Sequence, residues 1–198
     1  QFYYGDEESP VGRTRTSSPD DASAKIALAY CQHYETGRYA AYRDMADWLP
    51  DCVIHTGDYI YEGGVSPLGA KMRDVGGGER RLFEIVRQHD GNEITSLWDY
   101  RNRYALYRSD PHLQAAHACA PWIVAMDDHE VDNNWAAQIP QDPEKQTPLE
   151  FQVRKYMAFK AYYEHMPIEQ PPILRNMEPA LQMYGKYVFG PAQIHLLD

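Results

Sequence analysis

Residues 26–31 read Ile-Ala-Leu-Ala-Tyr-Cys and residues 52–58 read Cys-Val-Ile-His-Thr-Gly-Asp. Each is a short apolar run that ends in polar groups, the pattern of a strand buried on both faces of a parallel sheet. Between them Tyr39, Tyr42, Met45, Ala46 and Leu49 recur on one face of a 3.6-residue period, which predicts a helix from about Gly37 to Leu49, ended by Pro50. Strand, helix and strand in so short a span make a βαβ unit, so the two strands should be parallel neighbours. Trp122-Ile-Val-Ala-Met126 supplies a third buried strand. Helical character is expected over Leu97–Arg108, from Asp110-Pro111 to about Ala118, and over Pro148–His165, with a closing hairpin from Met183–Phe189 and Gln193–Leu197. The stretch Tyr59–Ser96, with glycines at 63, 64 and 76–78, reads as an irregular insertion that caps something. The expected class is α/β.

At 198 residues and 43% hydrophobic content the chain suits one domain or slightly more and is not a disordered segment. Its 19 Lys and Arg against 29 Asp and Glu leave a formal charge of -10, which repels a phosphate backbone and argues against a stable nucleic-acid complex. No run approaches the roughly 18 apolar residues of a membrane span. The chain opens on Gln1, without a signal-like segment, and stops within the strand-like Pro191–Asp198, so it reads as an internal piece of a longer protein. Residues 1–20 hold two short strand-like pieces, the second being Arg13-Thr-Arg-Thr16, and then a polar linker. This segment is expected to be the tail of a preceding β-domain. Three cysteines, at 31, 52 and 119, make no closed disulfide framework and leave at least one thiol free. Most of the sixteen tyrosines are expected on half-buried faces with bonded hydroxyls.

Polar clusters follow all three strands: Cys31-Gln-His33, Gly57-Asp-Tyr-Ile-Tyr61, and Asp127-Asp-His-Glu130 with Asn133 and Asn134 close behind. Ligand sites of α/β sheets form outside the carboxyl ends of the strands. Together these donors suit a two-metal hydrolytic centre, in which a carboxylate bridges two cations about 3.5–4 Å apart. Such cations lower the pKa of a coordinated water and offset phosphoryl charge, so an acidic protein can still receive an anionic ester. Plainer roles stand beside each residue. Cys31 could be a small buried hydrophobe, Asp58 a turn former, and Tyr61 a ring packed under the insertion. The adjacent Asp127 and Asp128 need cations or hydrogen bonds to offset their repulsion. His129 could donate to a leaving oxygen or buttress the aspartates.

The segments His55-Thr-Gly-Asp-Tyr-Ile-Tyr-Glu62, Asp110-Pro-His-Leu-Gln-Ala-Ala-His117, Pro121-Trp-Ile-Val-Ala-Met-Asp-Asp-His-Glu-Val-Asp-Asn-Asn-Trp135 and Ala161-Tyr-Tyr-Glu-His-Met-Pro167 resemble the PhoD-like alkaline phosphatase/phosphodiesterase family, a branch of the calcineurin-like metallophosphatases. Cys31-Gln-His-Tyr-Glu and Ser9-Pro-Val-Gly-Arg-Thr-Arg-Thr16 match it too. The resemblance implies a secreted enzyme with a fibronectin type III-like domain, of which residues 1–20 would hold the last strands and linker. Residues 21–198 would be the N-terminal half of a four-layer α/β/β/α sandwich. It further implies ferric iron and calcium as cofactors and phosphate esters as substrates. Cys31, Asp58 and Tyr61 would hold the iron, and Asp58 would bridge to calcium, whose side Asp127 or Asp128 and Asn134 would complete. Asp58, Asp128 and His129 would serve catalysis. Residue 33 is His where the family's cysteine motif has Asn, and it is not assigned as a ligand. The family's histidine ligands of later strands would lie beyond Asp198, so this chain would carry about half the site. The alternative class is a secreted, calcium-stabilised binding module without turnover. Cys31 with Asp58 and Tyr61 discriminates, because a structural calcium site has no use for thiolate.

Overall fold

The protein is described here by a computed structural model covering residues 1–16, 18, 20–74 and 78–197, the side chains of 73 and 74 apart. Ser17 and Pro19 of the expected linker, Val75, Gly76 and Gly77 of the glycine run, and Asp198 lie outside the described residues. In chain order the elements are β1 (Tyr3–Tyr4), β2 (Glu7–Glu8), β3 (Ile26–Ala29), α1 (Ala40–Trp48), β4 (Cys52–His55), β5 (Gly69–Asp74), β6 (Arg80–Ile85), α2 (Leu97–Arg108), α3 (Pro111–Cys119), β7 (Trp122–Val124), α4 (Pro148–His165), β8 (Ile173–Arg175), β9 (Glu178–Ala180), β10 (Gly185–Phe189) and β11 (Ala192–Leu196).

The central sheet is β3-β4-β7, parallel throughout, with Ile26 opposite Cys52 and Val53 opposite Trp122. Alternation along each strand divides the side chains between two cores. Ala27, Ala29, Val53, Trp122 and Val124 join the larger cluster with the helices, whereas Cys52, Ile54 and Ile123 pack on Phe189, Ile194 and Leu196 of the antiparallel β10–β11 hairpin. One face of the sheet is thus covered by helices and the other by strands. Helix α2 opens with a capping box between Ser96 and Asp99, α4 with one between Thr147 and Glu150, and Asp110 caps α3 ahead of Pro111.

Tyrosine dominates the larger core. Tyr59, Tyr100, Tyr104, Tyr107 and Tyr162 have no exposed surface. Several hydroxyls donate to backbone or side-chain oxygens behind the sheet: Tyr100 to Val131 O at 2.5 Å, Tyr162 to Ala125 O at 2.9 Å, Tyr39 to Gln32 O at 2.6 Å, and Tyr42 to Gln32 Oε1. Each such bond contributes about 1 kcal/mol. These rings fill volume while their tips hold the segments that follow β3 and β7.

Several elements differ from the sequence reading. Strands β3, β4 and β7 stop two or three residues early, because the chain turns sharply to present polar groups, with Cys31 at φ 50° and Asp58 at φ 55°. Helix α1 begins only after Tyr39, which is left-handed at φ 52°, and Leu49 at its other end is exposed rather than inward. The stretch 59–96 is not wholly irregular, since β5 and β6 form an antiparallel hairpin. Most of its described side chains are exposed, Met72 and Leu82 included, while Phe83 is half-buried and Ile85 buried at the end of β6, so no regular apolar stripe marks it. In the first segment β1 and β2 pair, but Arg13–Thr16 forms no strand. Arg13 N donates to Ala118 O at 2.7 Å and Arg15 bridges Asp21 and Asp51. All three cysteines are free. Among the described residues no helix is long and apolar enough to cross a membrane.

Gly57 marks the closest approach of the loops after β4 and β7. Its φ is +109°, and a β-carbon there would lie 2.5 Å from Asp127 N and 2.9 Å from Met126 C, both backbone atoms. Gly57→Ala should therefore destabilise the protein by about 2–4 kcal/mol through forbidden backbone geometry and overpacking. Urea denaturation would read this as a lower midpoint at unchanged slope.

Candidate functional site

The loops leaving β3, β4 and β7 converge at the carboxyl end of the sheet. Their positions are fixed by a buried carboxylate: Glu130, with no exposed surface, accepts from Asp127 N at 2.9 Å, Asp58 N at 3.1 Å and Tyr59 N at 2.5 Å. One side chain thereby ties the β4 loop to the β7 loop. Burial pushes the Glu130 carboxyl up to about 8, while the three N–H groups pull the other way.

Asp58 stands at the centre and is 6% exposed. Its Oδ2 accepts from the Cys31 thiol at 3.2 Å and from the Tyr61 hydroxyl at 2.9 Å. Its Oδ1 is buried and has no hydrogen-bond partner among the described residues. Asp58, Asp128 and His129 also bring one ligand atom each within 4.8 Å of one another. Asp58 thus belongs to two sets of donors, one with Cys31 and Tyr61 and one with Asp128 and His129. Asn134 N donates to Asp128 Oδ2 at 2.6 Å, which places Asn134 beside the second group. Asp127 is exposed and stands apart from the three-residue cluster, its Oδ1 accepting from Asp128 N at 2.9 Å.

Electrostatics follow from this packing. Burial raises the Asp58 carboxyl, against the pull of His129 and its two hydrogen-bond donors. Burial, then the hydrogen bond and charge of Asp58, push the Cys31 thiol up to about 11, and the same causes in similar order hold the Tyr61 phenol far above its usual value. Without a cation both groups are therefore protonated and donate to Asp58. Burial opposes charge on His129, but the Glu62 hydrogen bond and the nearby carboxylates outweigh it, raising the imidazole to about 9. His129 Nδ1 lies 2.7 Å from Glu62 Oε2, and Asn133 N donates to Glu62 Oε1 at 3.0 Å. The His129 ring packs tilted against Tyr61, with ring centroids 4.1 Å apart, and the His33 ring centroid lies 4.4 Å from that of Tyr61.

Cys31, Tyr61 and His129 open into a cleft of about 790 Å³ that runs out under the β5–β6 hairpin. Backbone strain gathers here too: of the non-glycine residues with positive φ, Cys31, Asp58 and Asn134 are all candidate ligands. The sequence reading missed Glu130, Glu62 and Glu35, the carboxylates that hold the loops. A signal existed, since each lies six or seven residues beyond the end of its strand, at Val124, His55 and Ala29.

Glu130→Gln should cost about 2–4 kcal/mol, because an amide has one acceptor oxygen where the carboxylate serves three donors. Thermal melting with metal analysis of the same sample would detect lower stability together with reduced metal content.

A family model described as PhoD-like phosphatase matches residues 26–198. The chain is 42% identical over 202 residues to alkaline phosphatase D of Bacillus subtilis (strain 168), a match that takes in 100% of this chain and 32% of the relative. It therefore spans about a third of that relative's length. A solved structure titled "Structure of PhoD" superposes with a TM-score of 0.80 at 42% identity, covering 98% of this chain and 35% of the other.

Proposed function

Since the chain belongs to the PhoD-like phosphatase family, we propose that it carries part of a metal-dependent centre that hydrolyses phosphate esters, monoesters and diesters alike. The observation that carries the reading is Asp58, a nearly buried carboxylate with one oxygen orphaned and the other facing a thiol and a phenol. Loops that needed only to fold would have met that oxygen with an N–H, as they do at Glu130.

The residues suit the metals that the family resemblance implies. Cys31, Asp58 and Tyr61 would hold ferric iron, whose strong polarisation displaces the protons of a thiol and a phenol. Asp58, Asp128 and Asn134, with Asp127 as the neighbouring oxygen donor, would hold calcium, a hard ion that takes carboxylate and amide oxygens. When bound, such a pair supplies positive charge to the phosphoryl oxygens and acidifies a coordinated water. The chain's own residues do the rest. Glu130 ties the backbone of Asp58 to that of Asp127, next to Asp128, and Glu62 occupies His129 Nδ1, leaving Nε2 as the atom able to give a proton to the leaving oxygen.

The same reading makes residues 1–20 the end of a fibronectin type III-like domain and residues 21–198 the first half of a four-layer α/β/β/α sandwich. The helices on one face of β3-β4-β7 and the β10–β11 hairpin on the other support the layering. It also places the protein outside the cytoplasm, an expectation resting on the family resemblance.

The protein, expressed within its complete reading frame, should release p-nitrophenol from bis(p-nitrophenyl) phosphate and p-nitrophenyl phosphate, and chelator should abolish both activities. Asp58→Asn, which keeps shape and removes charge, should lose metal and turnover together. Full metal occupancy with merely slower turnover would move Asp58 out of the coordination sphere.

Iron has its own signature. Phenolate-to-iron charge transfer should give the loaded protein a visible absorption band, and Tyr61→Phe should remove that band while circular dichroism stays unchanged. A band that survives in the folded variant would assign the colour to another tyrosine.

A further inference from the structure

The cleft that begins at Cys31, Tyr61 and His129 ends against the β5–β6 hairpin, and two hairpin side chains line it, Lys71 and Phe83. They are direct cross-strand partners in the antiparallel register, so both project from the same face of the hairpin. Phe83 is half-buried, and Lys71 reaches back to donate to Ser66 Oγ at 3.0 Å.

Charge pairing across the cleft singles out Lys71. Lys145 is matched by Asp142 at 2.7 Å, Glu93 by Arg154 at 3.0 Å, and Glu62 by His129. Glu35 accepts from Ser66 N and His89 N. Among the described residues, Lys71 is the cleft lysine without a carboxylate partner, bonded only to a neutral hydroxyl. A hydroxyl neither neutralises an ammonium nor satisfies its three donors. In a chain of formal charge -10, an unmatched cation inside the cleft of an anionic substrate has a distinct use.

We propose that the Lys71–Phe83 pair recognises the alcohol half of the ester, Phe83 packing on its carbon skeleton and Lys71 selecting alcohols that carry a second anionic group, a phosphate or a carboxylate. The proposal rests on the phosphoester reading and adds its specificity. The scissile phosphate sits at the Asp58 end, and the second charge is read at the hairpin end of the same cleft. The insertion thereby becomes a selector rather than a cover.

The test compares phenyl phosphate with 4-carboxyphenyl phosphate, esters that differ by one charge on the alcohol, using the metal-loaded protein expressed within its complete reading frame and phosphate release as the readout. Lys71→Gln should raise KM for the carboxylated ester roughly tenfold relative to phenyl phosphate, the loss of one charge-assisted contact, at unchanged kcat. Lys71→Arg should keep the preference, and Phe83→Ala should raise KM for both esters. Equal KM changes for the two esters in Lys71→Gln, or none, would overturn the assignment of Lys71, and unchanged KM values in Phe83→Ala would overturn that of Phe83. Wild-type protein that hydrolyses neither ester would overturn the hydrolase reading itself.

Discussion

A single buried carboxylate sets the geometry on which the site depends. Glu130 gathers backbone N–H groups from Asp58, Tyr59 and Asp127, binding the loop after β4 to the loop after β7. The same device recurs on either side. Glu62 holds Asn133 N and His129, and Glu35 holds Ser66 N and His89 N, so buried carboxylates add to backbone bonds such as Cys31 N to Gly57 O and Gln32 N to Asp58 O in pinning the segments beyond the parallel strands. Loops need such anchors, because their backbone groups have left the ladder and face an interior from which water is largely displaced. An ion pair in that place would orient only its partner, whereas a carboxylate with two oxygens and several lone pairs can fix two or three amides at once.

Anchoring of this kind permits strain. Cys31, Asp58 and Asn134 occupy left-handed backbone that non-glycine residues adopt at a cost of order 1–3 kcal/mol each. The cost is tolerated because the surroundings over-determine the conformation. Gln32, the residue after Cys31, accepts from Tyr39 and Tyr42 and donates to Tyr59 O, and Tyr162 and Tyr100 hold the backbone at Ala125 and Val131, to either side of the Asp127–Glu130 turn. The tyrosine-rich composition and the polar loops are thus one design. A core of leucine would have supplied the same apolar burial but no hydroxyls to reach the loops.

This division explains what was legible in the sequence. The three parallel strands and their intervening helices announce themselves, because burial on both faces forces uniform apolar runs and a covering helix shows its stripe. The polar clusters were visible for the same reason, as abrupt interruptions of those runs. Glu130, Glu62 and Glu35 were not, since a carboxylate that bonds backbone amides looks in sequence like any surface acid. Only its spacing from the strand end distinguishes it. The β5–β6 hairpin escaped because most of its side chains are exposed and burial reaches only its end, at Phe83 and Ile85, which is too short for a visible alternation. The choice between Asp127 and Asp128 also lay beyond periodicity, for neighbours in a turn separate only in three dimensions. There Asp128 joins Asp58 and His129 while Asp127 turns to cap Asp128 N.

The proposed two-metal reading accounts for more of the chemistry around Asp58 than a calcium-stabilised module without turnover would. A structural calcium site needs oxygen ligands gathered around one ion, and the Asp58, Asp128 and Asn134 side alone could supply several of them. It has no need of a thiol and a phenol donating to that carboxylate, nor of a strained turn at Cys31 to present that thiol. Setting Cys31 and Tyr61 against a carboxylate raises both of their pKa values, and a strongly polarising cation would offset this by taking their protons. Donors of different softness meeting at one shared aspartate would suit the proposed centre of two unlike ions, whereas a stabilising calcium would use only the oxygen donors.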